Sequence, residues 1–364
     1  MKALKKLLAV LLGTAVMCGC SANTDNSDKS SSASASIDPS TSYEKTDDED
    51  KSIEKISIVF SPYEDAEGIT KASQSFSNAL KISLEEKGYK IGSVESVVAA
   101  NYEEAGKMLS DGKADIGFIS GSTYVYFENG CSVLLTGLKN TLDNDSRKAE
   151  DWNGEEGETV TDDITKKYRG LIIAGPSEKG NALSEKFKNG EKISWDDINS
   201  ATWAIMPYPS DAGYVYTSLW LYENYGKTID QLENTKYVNT YYDGLKLAAN
   251  GEADIIASYS YIRANYADKW AGINTLGANG DIYKDTTVIG VTSKIYNDTV
   301  CISKKSEIMS DEFKDDLADV FIELGESEEE ENVISAFGHV GYTKAVSEDY
   351  DGARTARDLL KSVE

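Results

Sequence analysis

A chain of 364 residues with 40% apolar and 10% aromatic residues has enough apolar material for a sizeable folded core. Its formal net charge of −25 excludes nucleic acid as a partner, because neutralising phosphates needs a basic face. Cys18 and Cys20 lie near the N-terminus, so only Cys131 and Cys301 remain for the folded part, too few for a disulfide framework. They could pair in an exported protein, or stay as buried free thiols.

Residues Met1–Gly19 carry Lys2, Lys5 and Lys6, then the apolar run Leu7 to Met17, with no acid. This is the pattern of a secretory signal, with a core too short to cross a bilayer as a mature helix. It ends in Met17-Cys18-Gly19-Cys20, and a small residue before a cysteine at that place resembles the lipobox of bacterial lipoproteins. The resemblance implies cleavage before Cys20, a diacylglycerol thioether on Cys20, and an extracytoplasmic chain held to the cell membrane. Cleavage would remove three lysines and move the net charge from −25 to −28. Residues 20–52 are mainly Ser, Asp, Asn, Thr and Lys; such a segment cannot bury enough surface to offset its ordering entropy and reads as a disordered tether.

From residue 53 onward the chain is too long for one ordinary core, and its pattern alternates strands with helices. Strands are expected at Lys55–Phe60, Tyr89–Val98, Ala114–Ile119, Ser132–Leu138 and Tyr168–Gly175. Between them, Ser73–Lys87 is a helix with Phe76, Leu80 and Leu84 on one face, and Tyr102–Ser110 is another. Much of the negative charge sits at Asp143 to Asp163 and at Glu323 to Glu331, and the first of these, within residues 141–164, reads as a solvated surface insertion. The first run lacks the alternating aspartates of a calcium loop, and no metal or other cofactor is expected.

Ala201–Ile205 is a short buried strand and Tyr214–Tyr225 a helix, joined by Met206-Pro-Tyr-Pro-Ser-Asp-Ala-Gly213. A small-residue loop between a strand and a helix start aims free backbone N–H groups at one point and suits an anion. Further on come strands at Tyr237–Thr240, Ala253–Ser258 and Thr287–Val291, and helices at Gly244–Ala249, Asp311–Leu324 and Asp351–Val363. Lys107-Met-Leu-Ser-Asp-Gly-Lys-Ala-Asp-Ile116 is echoed by Lys246-Leu-Ala-Ala-Asn-Gly-Glu-Ala-Asp-Ile255. In both, the glycine suits a helix C-terminal cap and the aspartate a strand entry, as in two similarly built lobes facing each other.

These echoed strands, the Pro-x-Pro-Ser-x-x-Gly-Tyr loop, the segment Val291–Val300 and the tail Gly341–Tyr350 resemble phosphonate/phosphite/phosphate substrate-binding proteins of ABC importers. The likeness is spread over about residues 55–362. It implies an α/β, type II periplasmic-binding-protein fold with two lobes joined by a two-strand hinge. Lobe 1 would take residues 53–140 and 290–364, and lobe 2 residues 165–289 with the hinge strands. Carried over residue by residue, the resemblance implies pocket aromatics at Tyr102 and Tyr168 and an oxyanion loop at Ser210, Asp211, Ala212 and Gly213. It also puts Tyr241 and Tyr242 where relatives have a His-acid pair, and Asp298 at the relatives' aspartate.

Of the relatives' three loop hydroxyls only Ser210 remains. Asp211 would set a carboxylate where an oxyanion binds, and at about 4 Å like charges repel by ~4 kcal/mol at an effective dielectric of 20. Two accounts of Asp211 follow: it faces the pocket and favours a cationic or aromatic solute held by the tyrosines, or it turns outward as a helix cap and leaves an anion site. No nucleophile–base constellation or Gly-x-Ser-x-Gly elbow is present, which argues against an enzyme. The expected role is a monomeric receptor that closes on a small solute and delivers it to the membrane permease of an ABC importer. By the resemblance that solute is a phosphonate/phosphate-type oxyanion, and in the alternative a cationic or aromatic one. A solute-sensing surface interaction protein is the alternative.

Overall fold

The computed structural model of the protein describes residues 51–62, 66–272, 275–326, 334 and 338–363. The signal sequence, Cys18, Cys20, nearly all of the tether and residues 327–331 of the second acidic run lie outside them. Both sheets described below belong to one contact unit, Asp50–Glu364.

The first sheet contains β1 (Ser52–Phe60), β2 (Lys90–Val98), β3 (Ile116–Ile119), β4 (Cys131–Leu142), β5 (Val160–Thr165), β11 (Thr299–Ser303) and β12 (Gly341–Lys344). Its order is β12-β4-β11-β3-β1-β2, with β5 on the far end of β4. The second contains β6 (Lys167–Ala174), β7 (Trp203–Ile205), β8 (Thr235–Tyr237), β9 (Ile255–Tyr259) and β10 (Thr287–Tyr296) in the order β10-β6-β9-β7-β8. Parallel pairs form at β1–β2, β1–β3, β7–β8 and β7–β9, where helices return the chain to the start of the next strand.

Each sheet is buried by helices whose apolar stripe the sequence carries. Phe76, Leu80 and Leu84 of the helix Ala66–Glu86 are fully buried in the core of the first sheet. There Phe60 stacks on Phe118 at 4.5 Å, and Phe76 meets Phe118 edge-on at 5.3 Å. Burying one such side chain contributes about 2 to 3 kcal/mol. In the second sheet Trp203, Ile205, Leu221, Leu245, Ile255 and Trp270 form the corresponding core.

The chain passes between the two sheets twice, from β5 to β6 and from β10 to β11. Asn297, fully buried, fastens these crossings to each other. Its backbone N–H donates to Lys166 O at 2.8 Å, and its side-chain NH2 donates to Gly137 O at 3.0 Å and Thr165 O at 2.9 Å. Two α/β lobes are thus joined by two adjacent chain crossings, the geometry of a hinge.

The internal echo is structural. Gly112 and Gly251 follow their helices with φ of +76° and +70°, a conformation that costs a side-chain-bearing residue energy. Asp115 Oδ2 accepts from Ser57 N–H at 2.8 Å, and Asp254 Oδ2 accepts from Thr202 N–H at 2.7 Å. Each aspartate therefore ties the entry of its strand to the parallel neighbour, at Ser57 within β1 and at Thr202 just before β7.

The acidic segment 141–164 departs from the solvated insertion expected of it. Trp152 is buried and donates its indole N–H to Ser146 O at 2.9 Å, and Asn153 exchanges two hydrogen bonds with the backbone of Val288 in β10. Glu158 is buried in an ion pair with Arg263, whose guanidinium also donates to Trp152 O at 2.5 Å. Burial pushes Glu158 up and Arg263 down, while each partner's charge opposes the shift. The run of acids hid one Trp and one Glu that anchor it to the second lobe. Cys131 and Cys301, on the neighbouring strands β4 and β11, are both buried free thiols. Strands β5, β11 and β12 and the helices Gly121–Phe127, Glu178–Lys188 and Ile262–Trp270 are elements that periodicity did not mark.

Candidate functional site

The loop after β7 is built around Tyr241, the first residue of the helix Tyr241–Ala249. Ser210 Oγ and Tyr241 Oη are 2.8 Å apart, and Gly213 N–H donates to the same phenol oxygen at 3.1 Å. A Cβ at Gly213 would come within 2.5 Å of Met206 Cγ, so only glycine lets the turn close here. The backbone leaves the loop through a wide turn, Val215 N–H donating to Ser210 O at 3.0 Å, before the regular helix Tyr216–Tyr225. The expected cradle of free donors is not what forms. Its hydroxyl and its glycine N–H are engaged by Tyr241.

Asp211 follows neither account in full. It is buried at 2% exposure and lines a cavity between the lobes, but it also caps a helix, and that helix belongs to the first lobe. Its Oδ1 accepts from Ser122 N–H at 2.9 Å, in the first turn of the helix Gly121–Phe127. Its Oδ2 is buried without a hydrogen-bond partner. Burial pushes its pKa up to about 7; Ser122 opposes the rise and the charge of Asp298 adds to it.

The cavity has a volume of about 20 Å3. Tyr102 and Ser120 reach it from the first lobe, and Tyr241, Tyr259 and Tyr261 from the second. Lys139, Tyr168 and Asp298 reach it from β4 and the crossings. Burial raises the pKa of Asp298, and the ammonium of Lys139 pulls it back. Burial, reinforced by Asp211, pushes the phenols of Tyr168 and Tyr241 upward, so they remain neutral. No third His, Cys, Asp or Glu joins the two carboxylates into a metal-holding group among the described residues. A second cavity, also about 20 Å3, shares Tyr102, Ser120 and Asp298 and continues to Phe60, Ser61, Phe118, Ile119 and His339. Ser61 Oγ and His339 Nε2 are buried there without partners, and burial lowers His339 well below its ordinary pKa.

Of the residues singled out from sequence, Tyr102, Tyr168, Asp211, Tyr241 and Asp298 come together on the cavity wall. Ser210 and Gly213 stand behind it, bonded to Tyr241. Ala212 is fully buried with its carbonyl accepting from Thr217 Oγ1 at 2.7 Å, and the Tyr242 ring packs on Tyr266 at 5.5 Å, so neither lines the cavity. Sequence reading missed Ser120, Lys139, Tyr259, Tyr261 and His339. The echo held a signal for three of them: Ser120 directly follows β3, and Tyr259 and Tyr261 end or follow β9, the strands that leave the two Ala-Asp-Ile copies. Ligands of open α/β sheets gather at such carboxyl ends.

A protein family described as ABC transporter, phosphonate, periplasmic substrate-binding protein matches residues 58–350. A search of curated proteins finds no match. Among solved structures, a binding-protein component of an ABC phosphonate transporter from Pseudomonas aeruginosa superposes with a TM-score of 0.61 at 13% identity, covering 85% of this chain and 87% of that one. PhnD1 from Prochlorococcus marinus, solved in complex with methylphosphonate, gives 0.60 at 14% identity, covering 85% and 98%. A protein from Xanthomonas citri bound to ATP gives 0.57 at 11% identity, covering 84% and 99%. At these identities the shared property is the fold, the type II periplasmic-binding-protein architecture with two lobes and a hinge.

Proposed function

The chain belongs to the periplasmic substrate-binding proteins of phosphonate ABC transporters, and from that premise we propose a receptor that closes on a small solute and presents it to a membrane permease. Family membership makes it an extracytoplasmic transport component. No helix of the described residues is long and apolar enough to cross a membrane. In our reading the acylated Cys20 supplies the membrane attachment, residues 20–52 the tether, and a monomer does the binding.

One observation carries the closure mechanism: the cavity wall is drawn from both lobes and from the crossings. Asp298 follows the hinge residue Asn297 directly, and Tyr168 sits in the strand just past the other crossing. A solute that touches these residues favours the closed arrangement by its differential affinity for it. The Asp211–Ser122 hydrogen bond is a contact between lobes that closure makes and opening breaks. Family membership alone would put a phosphonate-type oxyanion in the cleft; in this chain the wall departs from that at Asp211.

Small-angle scattering tests the closure. A solute that binds should reduce the radius of gyration of the folded part, and a binder that leaves it unchanged would rule out hinge closure. Membrane partition tests the anchor: wild type should fractionate with membranes, and Cys20→Ser should release the chain into the soluble fraction.

A further inference from the structure

We propose that the cleft takes a compact primary or secondary ammonium carrying a short neutral arm, rather than a free oxyanion. The assignment rests on the receptor reading above and specifies the class of its solute.

Three donors that an oxyanion would use at the two helix starts are already taken by the protein. At the first-lobe helix Gly121–Phe127, the Ser122 N–H is taken by the Asp211 carboxylate at 2.9 Å. At the second-lobe loop, Ser210 and Gly213 N–H are taken by the Tyr241 phenol. An entering anion would have to displace both sets and sit beside Asp211.

Beside the Lys139 ammonium and the hydroxyls of Ser120 and the tyrosines, the wall carries acceptors of negative character. Asp211 Oδ2 is an acceptor, buried and without a partner, and such an atom costs about 1 to 3 kcal/mol until a donor reaches it. Asp298 faces the same space, so two carboxylates stand against the single ammonium of Lys139. Tyr168 and Tyr241 line the same space, and the Tyr168 ring already attracts one cation, with Lys139 Nζ 5.9 Å from its centroid. The lone acceptor selects further: an ammonium with an N–H satisfies it, and a quaternary one cannot.

The second chamber accounts for the arm. Phe60, Phe118 and Ile119 make it apolar, while Ser61 Oγ and His339 Nε2 are buried and unpartnered in its wall. His339 Nδ1 lies 3.3 Å from the Tyr342 hydroxyl, so the free Nε2 can meet a hydroxyl at the arm's end. His339 is neutral there because burial lowers its pKa well below the ordinary value. Each chamber is about 20 Å3, and a water needs about 10 to 15 Å3 on this measure. The fitting solute is therefore one of few non-hydrogen atoms, such as a small aliphatic amine or amino alcohol.

The test is calorimetric titration of the wild-type folded chain with n-propylammonium, 3-aminopropan-1-ol, tetramethylammonium, methylphosphonate and 2-aminoethylphosphonate. The first two should bind, the amino alcohol more tightly, with tetramethylammonium and methylphosphonate weaker by about tenfold or more. Asp211→Asn keeps an acceptor for Ser122 N–H and deletes the charge, and Asp298→Asn deletes the other. Each should weaken the amines by about tenfold while retaining cooperative unfolding. The wild-type ranking decides the matter even if a variant does not fold. Methylphosphonate binding as tightly as propylammonium, or 2-aminoethylphosphonate binding where propylammonium does not, overturns the ammonium assignment and leaves the receptor reading intact. Binding of none of the five also overturns the assignment, and the receptor reading is then judged by scattering with a binder from a wider solute screen.

Discussion

The two halves of the echo share a scaffold and differ in what they deliver to the cleft. In each, a helix ends on a left-handed glycine, an Ala-Asp pair enters a buried strand, and the aspartate ties a parallel neighbour. Beyond the strand ends they diverge. β3 runs into Ser120 and a helix whose first-turn N–H reaches Asp211 of the other lobe. β9 runs into Tyr259-Ser260-Tyr261 and a helix whose N-cap, Tyr261, makes no side-chain capping bond. One half contributes a backbone donor and the other aromatic faces. The repeated part builds the lobes, and the residues just past it set the chemistry.

The largest effect that sharpens this contrast belongs to Asp211, where the halves meet. Burial raises its pKa from 3.8 to about 7. The folded state therefore holds a proton that the unfolded state releases, and stability from this group is full below about pH 4 and is lost as pH rises toward 7. Three units correspond to roughly 4 kcal/mol. Urea unfolding of wild type and Asp211→Asn across that window should show the extra downward slope in wild type alone; parallel slopes would mean the carboxylate is not buried as described.

If the scaffolds are equivalent, Asp115→Ala and Asp254→Ala should cost similar amounts. Each removes charge-assisted bonds to a neighbouring strand and a serine, Ser306 for Asp115 at 2.6 Å and Ser177 for Asp254 at 2.6 Å. Losses of about 2 to 3 kcal/mol each are expected in thermal or urea unfolding. A loss confined to one of them would break the equivalence. The smallest effect separates the two glycines. Gly251→Ala meets nothing within 4 Å and should cost about 1 kcal/mol for its left-handed backbone. Gly112→Ala should cost more, because its Cβ would come within 3.0 Å of Lys305 Cβ. Equal losses in unfolding would show that Lys305 yields freely.

Much of the fold was legible because it rests on local signals. Phe76, Leu80 and Leu84 announce a buried helical face, and the two Gly-x-Ala-Asp-Ile runs announce matched strand entries. The cleft was legible only where residues could be carried over singly, as with Tyr102, Tyr168, Asp211, Tyr241 and Asp298. Lys139 and His339 gave no signal because they reach the cavities through strand pairings and crossings, which are set by contacts distant in sequence. Ser210 and Gly213 misled because loop composition shows which donors exist and not which partner takes them; Tyr241, some 30 residues on, takes these. Trp152 and Glu158 were hidden by the acids around them, and their burial depends on Arg263, more than a hundred residues away.

The charge of the solute is the central claim, and proton exchange on binding reads it most directly. Asp211, with its pKa pushed up to about 7, is a cavity group that titrates near neutrality. Around it stand Asp298, raised by burial and restrained by Lys139, and the phenols of Tyr168, Tyr216, Tyr241 and Tyr350, all pushed upward by burial; His339, in the adjoining chamber, is pushed down by burial. An ammonium favours the ionised carboxylate, and an oxyanion favours the protonated one. Calorimetry of n-propylammonium binding at pH 7, in buffers of different ionisation enthalpy, should therefore show a fraction of a proton released per solute bound. Proton uptake, or binding with no proton exchanged, would contradict the account.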